Sequence, residues 1–140
     1  MIAQAINELF GYVKSVRGLV SVGLVVGGKA PDPGLTKVPL PAAWLIHEGG
    51  KNTQDVVRPN LPVNATIQLH YAVMVYVPYT SQSDLIGTQY PLLEALIAGV
   101  HGQTSNVTGQ RWYYAKHRLV LLNPDRLGFH VSFILDAAVS

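Results

Sequence analysis

Residues 65–79, ATIQLHYAVMVYVPY, constrain the fold more than any other part of the sequence, because their pattern is that of one long strand. The stretch contains no glycine and no Asp, Glu, Lys or Arg, and its single proline is next to last. Every second position is apolar, namely Ile67, Leu69, Tyr71, Val73, Val75 and Val77. A period of two predicts a strand with one face in a core. We expect this stretch to be the central strand of a sheet.

The length and the missing cysteines set the broad class of protein. A chain of 140 residues forms one domain with a core of its own. Because it has no cysteine, disulfides, zinc–thiolate sites and iron–sulfur clusters are excluded. The N-terminal segment MIAQAINELF lacks the basic region of a secretory signal. The apolar run at 18–28 is too short and too rich in glycine to span a membrane, so no membrane association is expected.

The small number of charged residues is the most informative feature of the composition. They make up 13% of the chain while hydrophobic residues make up 49%, and an average soluble domain has about 25% charged residues. This shortage predicts that part of the surface is covered by copies of the chain or by a partner. The alternative is a monomer coated with Ser, Thr, Gln and Asn. A net charge of +2 without blocks of like charge does not indicate an autonomous nucleic-acid binder.

Apolar residues at helical spacing predict two amphipathic helices, at 2–16 and at about 85–100. Gly18 is the expected stop of the first helix. Ser83 or Asp84 is expected to cap the second. Pro91 either kinks this helix or lies in its true first turn.

The remaining β-rich segments predict four further strands, at 19–26, 42–47, 112–122 and about 127–137. The turn residues at 123–126 predict that the last two strands form a hairpin. Long loops are expected at 27–41 and 49–64, where proline, glycine and polar residues accumulate. The order of elements predicts a single α+β domain over 1–140, with two helices packed on one face of a mixed, mainly antiparallel sheet of four to five strands.

The sequence contains no recognisable catalytic, cofactor-binding or metal-binding motif. It lacks a GxSxG elbow, a GxxxxGK[ST] phosphate loop and any HxH, HxxxH or HExxH pattern. His70, His117 and His130 lie on predicted strands, where they would be able to converge on one sheet face as metal ligands. The favoured interpretation is that they are polar-face or interface residues. We therefore expect neither an enzyme nor a cofactor.

Two groups of residues are candidates for binding. The first group consists of basic residues in the two long loops, namely Lys29, Lys37, Lys51 and Arg58. They are candidates for contacting a polyanion, and the alternative is that they are solvated loop charges. Trp112 and Tyr114, beside Arg111, would suit a stacking platform for bases. Because they share one face at strand spacing, a core or subunit-interface role is favoured. Trp44, on the predicted strand 42–47, is a further candidate interface aromatic.

Taken in this order, the chain resembles the tail terminator (tail completion) proteins of long-tailed bacteriophages, including Mu-like minor tail proteins of this size. The helix IAQAINELFGYV is followed directly by a β-rich segment, and the strand PAAWLIHEG precedes a loop. The long strand ATIQLHYAVMVYVPY leads into the helix SDLIGTQYPLLEALIAGV. The strand RWYYAKHRLVLL and the turn NPDRLG precede the terminal strand FHVSFILDAAV. The resemblance covers nearly the whole chain as an order of elements.

The resemblance implies a structural protein of the virion tail, assembled in the host cytoplasm. Such proteins form rings, commonly hexamers, that cap the last ring of tail-tube subunits, stop polymerisation and join the tail to the head connector. The implied partners are the chain itself, the tail tube protein, the head–tail connector protein, and DNA that passes through the lumen without specific binding. Under this hypothesis the loops 27–41 and 49–64 contact the tube or a neighbouring subunit, and their basic residues supply lumen or interface charge. The alternatives are a neck or head-completion protein, the tail tube subunit, or a small-ligand or metal-binding enzyme.

Overall fold

A computed structural model of the chain describes residues 1–25, 38–52 and 65–139. The strands form one five-stranded sheet in the order β1-β2-β3-β5-β4. They are β1 (Ser21–Leu24), β2 (Ala42–Asn52), β3 (Ala65–Pro78), β4 (Trp112–Asn123) and β5 (Arg126–Val139). The helices are α1 (Ile2–Lys14), α2 (Gln82–Asp84), a π-helical turn (Leu85–Gln89) and α3 (Tyr90–Val100). Among the described strands only β1 and β2 pair in parallel, so the predicted α+β fold with a mixed, mainly antiparallel sheet is confirmed.

The central strand is β3, as its alternating sequence predicts. It pairs with β2 on one side and with β5 on the other. One face of β3 is buried in the core through Leu69, Tyr71, Val73, Val75 and Val77. Because side chains alternate across a strand, the same pattern leaves His70 and Met74 on the opposite face.

The helices cover one face of this sheet. The core contains Ala5, Leu9 and Val13 from α1, together with four residues from α3, namely Leu92, Leu93, Leu96 and Val100. The opposite face, here called the open face, is defined by two cross-strand rows. These rows are Trp44–Met74–His130–Arg118 and Ile46–Ala72–Ser132–Lys116. The sheet therefore presents a helix-covered apolar face and a face with polar and charged side chains.

The second helix begins earlier than the sequence predicts. Ser81, rather than Ser83 or Asp84, is the cap, because its hydroxyl oxygen accepts the backbone N–H of Asp84 at 3.0 Å. Pro91 lies in the first turn of α3, which confirms one of the two predicted roles. Since proline has no N–H and its ring crowds the preceding turn, the backbone before it widens into the π-helical turn, where Tyr90 N–H donates to the carbonyl of Leu85.

The second strand is longer than the sequence predicts. β2 continues through Asn52, so residues 49–52 of the predicted loop 49–64 are strand. A bulge between His47 and Gly49 restores the pairing with β3. Gly49 has a φ of +140°, a conformation that favours glycine, and this explains why a Gly-Gly pair accompanies a strand instead of ending it. The rest of that loop, and residues 27–37 of the predicted loop 27–41, lie outside the described residues.

Tyr71 connects the sheet to the first helix. Its buried phenol makes the fold less stable as the pH rises into the alkaline range. Its ring is fully buried, and its hydroxyl donates to the carbonyl of Ile2 at 3.2 Å. Burial raises the pKa of Tyr71 from its ordinary value near 10 to about 12. Between these two values the unfolded phenol ionises while the folded one stays neutral, so stability from this group is complete below about pH 10 and is lost as the pH rises towards 12.

We therefore expect denaturant-induced unfolding to show a larger loss of stability between about pH 9 and about pH 11 in the wild type than in Tyr71→Phe. The control is Tyr113→Phe, which removes an exposed phenol from the same sheet. It should keep the pH dependence of the wild type. An equal loss in the wild type and Tyr71→Phe would contradict the assignment.

Candidate functional site

A depression on the open face brings several charged and polar side chains together. We call it the open-face cradle, with a volume of about 420 Å³. Its lining comes from β2, β3, β4 and β5 and consists of Glu48, Gly49, Gly50, Lys51, His70, Lys116, Arg118, His130 and Ser132. Lys51 and His130, 79 positions apart in sequence, line the same cradle because β5 pairs with β3.

One wall of the cradle is held by two polar contacts of the His130 ring. Its Nε2 lies 3.0 Å from Glu48 Oε1. Its Nδ1 lies 3.3 Å from Ser132 Oγ. Both ring nitrogens are therefore occupied, which fixes the orientation of the imidazole. The bulge beside Gly49 places Glu48 on the open face, where it reaches this histidine.

Several buried polar atoms on the open face lack a partner within the described part of the chain. They are Nε2 of His70, Nε1 of Trp44 and Oδ1 of Asp136. Buried polar atoms in folded proteins are nearly always hydrogen-bonded. Of these residues, His70 lines the cradle directly. The open face therefore has unused hydrogen-bonding capacity where its cations are found.

A second surface, on the helix-covered side of the sheet, is apolar. We call it the hairpin patch, consisting of Tyr79, Tyr90, Leu119 and Leu122, all of them exposed. Tyr90 packs edge-on against Phe129, with ring centroids 6.4 Å apart, and Phe129 pairs with Leu119 across the hairpin. Leu122, 73% exposed, shares a groove of about 390 Å³ with Tyr79. Each of the four side chains therefore lies beside a residue of the β4–β5 hairpin.

The strand that carries this patch lies at the edge of the sheet. At its start the outer edge is covered, because Trp112 exchanges backbone hydrogen bonds with Gly102 and Gln103, and Tyr114 N–H donates to Nδ1 of His101. Residues 115–120 are exposed. Register shifts at Ala115 and Val120 interrupt the edge, and such bulges disfavour indiscriminate strand pairing. Contacts at this edge should therefore rely on side chains more than on backbone.

The three candidate interface aromatics have different environments. Trp112 is 0% exposed, and its Nε1 donates to Glu8 Oε1 at 2.8 Å, so of the two predicted roles, core or interface, it has the core role. Tyr114 is half-buried against Phe133. Trp44 is partly buried on the open face, where its ring lies over Gly23. The interface roles of Tyr114 and Trp44 stay predictions.

The predicted binding cations are only partly within the described residues. Lys51 lines the cradle, whereas Lys29, Lys37 and Arg58 lie outside the described ranges. Lys116 and Arg118, which sequence reasoning did not single out, complete the cationic lining. Their spacing of two residues within a predicted strand was the available signal, because it places both side chains on one face.

The three histidines of the predicted strands do not all lie on one face, which removes the metal-site alternative and leaves the favoured interpretation untested. His70 and His130 lie on the open face, but His117 pairs with Val131 of the core-facing row and contacts the Tyr114 hydroxyl at 2.5 Å. The side chain of His117 lies on the same face as that of its paired residue, Val131, and the register shift at Ala115 precedes this pairing. Across residues 1–25, 38–52 and 65–139, no group of three or more His, Asp or Glu side chains is arranged to hold a metal ion.

No protein-family model matches the sequence, and no curated protein matches it. A helix with the length and apolar character of a bilayer span is not found within the described ranges. Membership of the tail terminator family is therefore still a prediction from the order of elements.

Proposed function

We propose that this chain is a structural subunit of a phage tail that assembles with its own copies into a closed ring. The ring, of about six subunits, would cap the tail tube, stop its polymerisation and join it to the head connector in the virion. The hairpin patch is the observation that carries the self-assembly step. The order of elements that resembles the tail terminators supports the place of the ring in the virion.

The hairpin patch has the composition of a subunit interface. Two tyrosines and two leucines of this patch are exposed near the β4–β5 hairpin. Aromatic and large aliphatic side chains are enriched at the centre of interfaces, where charged residues are depleted. Only 13% of the chain is charged, so little charge is available to keep such a patch in water. Burial against a neighbouring subunit would remove this apolar surface from solvent.

The two surfaces lie on different faces of the sheet, and this suits a ring. Leu119 and Leu122 pair with Phe129 and Leu127 of the core-facing rows, so they lie on the helix-covered side. The open-face cradle is on the other side. A contact made through the hairpin patch would leave the open face accessible to the lumen or to a partner. DNA would then pass such a ring without being held by a large basic surface, since the net charge is only +2.

The experiment is the solution mass of the purified chain over a concentration series, measured by light scattering with negative-stain images of the same samples. The proposal predicts a discrete species of about six times the 15.2 kDa subunit and closed rings in the images. Long tubes would favour the tail tube subunit, the main alternative. A monomer at every concentration would overturn the self-assembly proposal.

A matched pair of variants tests the hairpin patch itself. Leu122→Ser should shift the ring towards monomer by at least about tenfold in the half-dissociation concentration, because truncating a buried interface leucine costs more than about 1.4 kcal/mol. The control is Val20→Ser, which changes a side chain that is 62% exposed next to β1, the opposite edge of the sheet. Equal behaviour of the two variants would show that the hairpin patch is not the interface.

A further inference from the structure

Three cations surround the open-face cradle without a carboxylate partner among the described residues. They are Lys51 on β2, and Lys116 and Arg118 on β4, all of them exposed. The contacts between basic and acidic side chains in the described part of the chain, Arg126–Asp125 and His130–Glu48, do not use them. β2 and β4 are three strand spacings apart, roughly 14 Å, and Lys51 lies four residues along β5 from the row of Lys116, so the cations flank the cradle from two ends.

The negative charge near these cations is smaller than their positive charge. Glu48 is the lining carboxylate, and it is already within 3.0 Å of His130 Nε2. Asp136 lies on the same face, in the row of Lys51 and Gln68, but it does not line the cradle. The lining therefore has three cations against one carboxylate, before any charge on its two histidines is counted. Such a surface attracts an anion.

His70 supplies an observation that is independent of the charges. His70 lines the cradle, and its Nε2 is buried without a hydrogen-bond partner among the described residues. A buried ring nitrogen without a partner is costly. When it carries a proton, this nitrogen donates, and an oxyanion in the cradle would be its acceptor. The same ligand would thus satisfy both the unpaired cations and the unpaired nitrogen.

We infer that the open-face cradle binds a phosphate group. Arg118 can offer two parallel N–H donors to phosphate oxygens, while Lys51 and Lys116 act as point charges. The oxygens of a phosphate can accept hydrogen bonds from several directions at once. This suits donors that come from β2 on one side of the cradle and from β4 on the other. With about 420 Å³, the cradle has room for more than an isolated ion, so the phosphate can belong to a nucleotide or to a nucleic-acid strand. This inference does not depend on ring formation.

The test is calorimetric titration of the full chain at constant ionic strength with three probes, namely inorganic phosphate, a nucleoside monophosphate and a short single-stranded oligonucleotide. The double variant Lys116→Gln/Arg118→Gln should weaken binding of whichever probe binds by at least about tenfold. The control is Lys14→Gln/Arg17→Gln, which removes the same two charges at the C-terminal end of α1, away from the cradle lining. It should change affinity by less than about twofold, apart from long-range charge effects.

A variant that is expected to increase phosphate affinity distinguishes a loss of binding from damage to the fold. Glu48→Gln removes the lining carboxylate and should increase phosphate affinity severalfold, a gain that partial unfolding cannot produce. Binding of phosphate or the mononucleotide alone would identify a small phosphate ester as the ligand. Binding of the oligonucleotide as well would identify a nucleic-acid backbone. No binding by any probe, or equal losses in the cradle and control variants, would overturn the inference.

Discussion

Gly23→Ala is expected to lower the free energy of unfolding by about 1–3 kcal/mol, a large effect for one methyl group. Gly23 lies on β1 directly beside Trp44 of β2, and the indole ring covers its backbone. A Cβ at this position would lie 2.1 Å from Cζ3 and 2.5 Å from Cε3 of Trp44. The ring must therefore leave its place, which exposes it to water and loosens the single parallel pair of the sheet.

Chemical denaturation followed by circular dichroism measures this effect. The control is Gly11→Ala on α1, where an added Cβ meets no atom within 4 Å. Because alanine is the better helix former, this control should raise stability by about 0.5–1 kcal/mol. In a Trp44→Leu background the cost of Gly23→Ala should largely vanish, since the clashing ring is gone. A full cost in that background would show that the indole is not its cause.

The sequence predicts what depends on local pattern. Alternation over 65–79 predicted β3 with its core face, and helical spacing predicted α1 and the helix ending at Val100. The helix and strand boundaries that were predicted wrongly depend on particular contacts in the folded chain. Ser81 became the cap because it can accept the N–H of Asp84. β2 extended beyond its predicted end because a bulge and β3 support it.

The candidate site was harder to predict because it is made by topology. Lys51 of β2 and Arg118 of β4 line one cradle only because β5 inserts between β3 and β4. A hairpin of β4 and β5 is visible in the sequence, but which of its strands pairs with β3 is not. Trp112 is a second example. Its spacing from Tyr114 predicted which residues share its face of the strand, but not whether a helix or a neighbouring subunit covers it. Its burial depends on α1, whose Glu8 is 104 residues away in the chain.

That contact makes Glu8→Ala the second variant with a large expected effect, a loss of about 2–3 kcal/mol. Glu8 Oε1 accepts Trp112 Nε1–H at 2.8 Å, and Oε2 accepts the backbone N–H of Asn106 at 2.7 Å. Trp112 is fully buried, so truncation of Glu8 leaves its indole N–H without a partner away from water. Hydrogen bonds to a charged acceptor are also stronger than neutral ones.

Three variants distinguish this bond from a general effect of changing α1. Glu8→Gln keeps a neutral acceptor for the indole and should cost only about 1 kcal/mol. Glu94→Ala removes an exposed carboxylate from α3 and should stay within about 0.5 kcal/mol of the wild type. In a Trp112→Phe background, which has no indole N–H, the cost of Glu8→Ala should fall by more than half.

The pattern across these variants also bears on the proposed ring. Glu8 joins the helix layer to the start of β4, and the same strand continues to Leu119 and Leu122 of the hairpin patch. If Glu8→Ala lowers stability but the ring persists, the far end of β4 is held by its pairing with β5 alone. If ring formation is lost below the unfolding transition, the α1–β4 contact positions the patch for assembly. A loss of stability no larger than that of Glu94→Ala would show that water replaces the carboxylate at the indole, and the contact would then have no structural role.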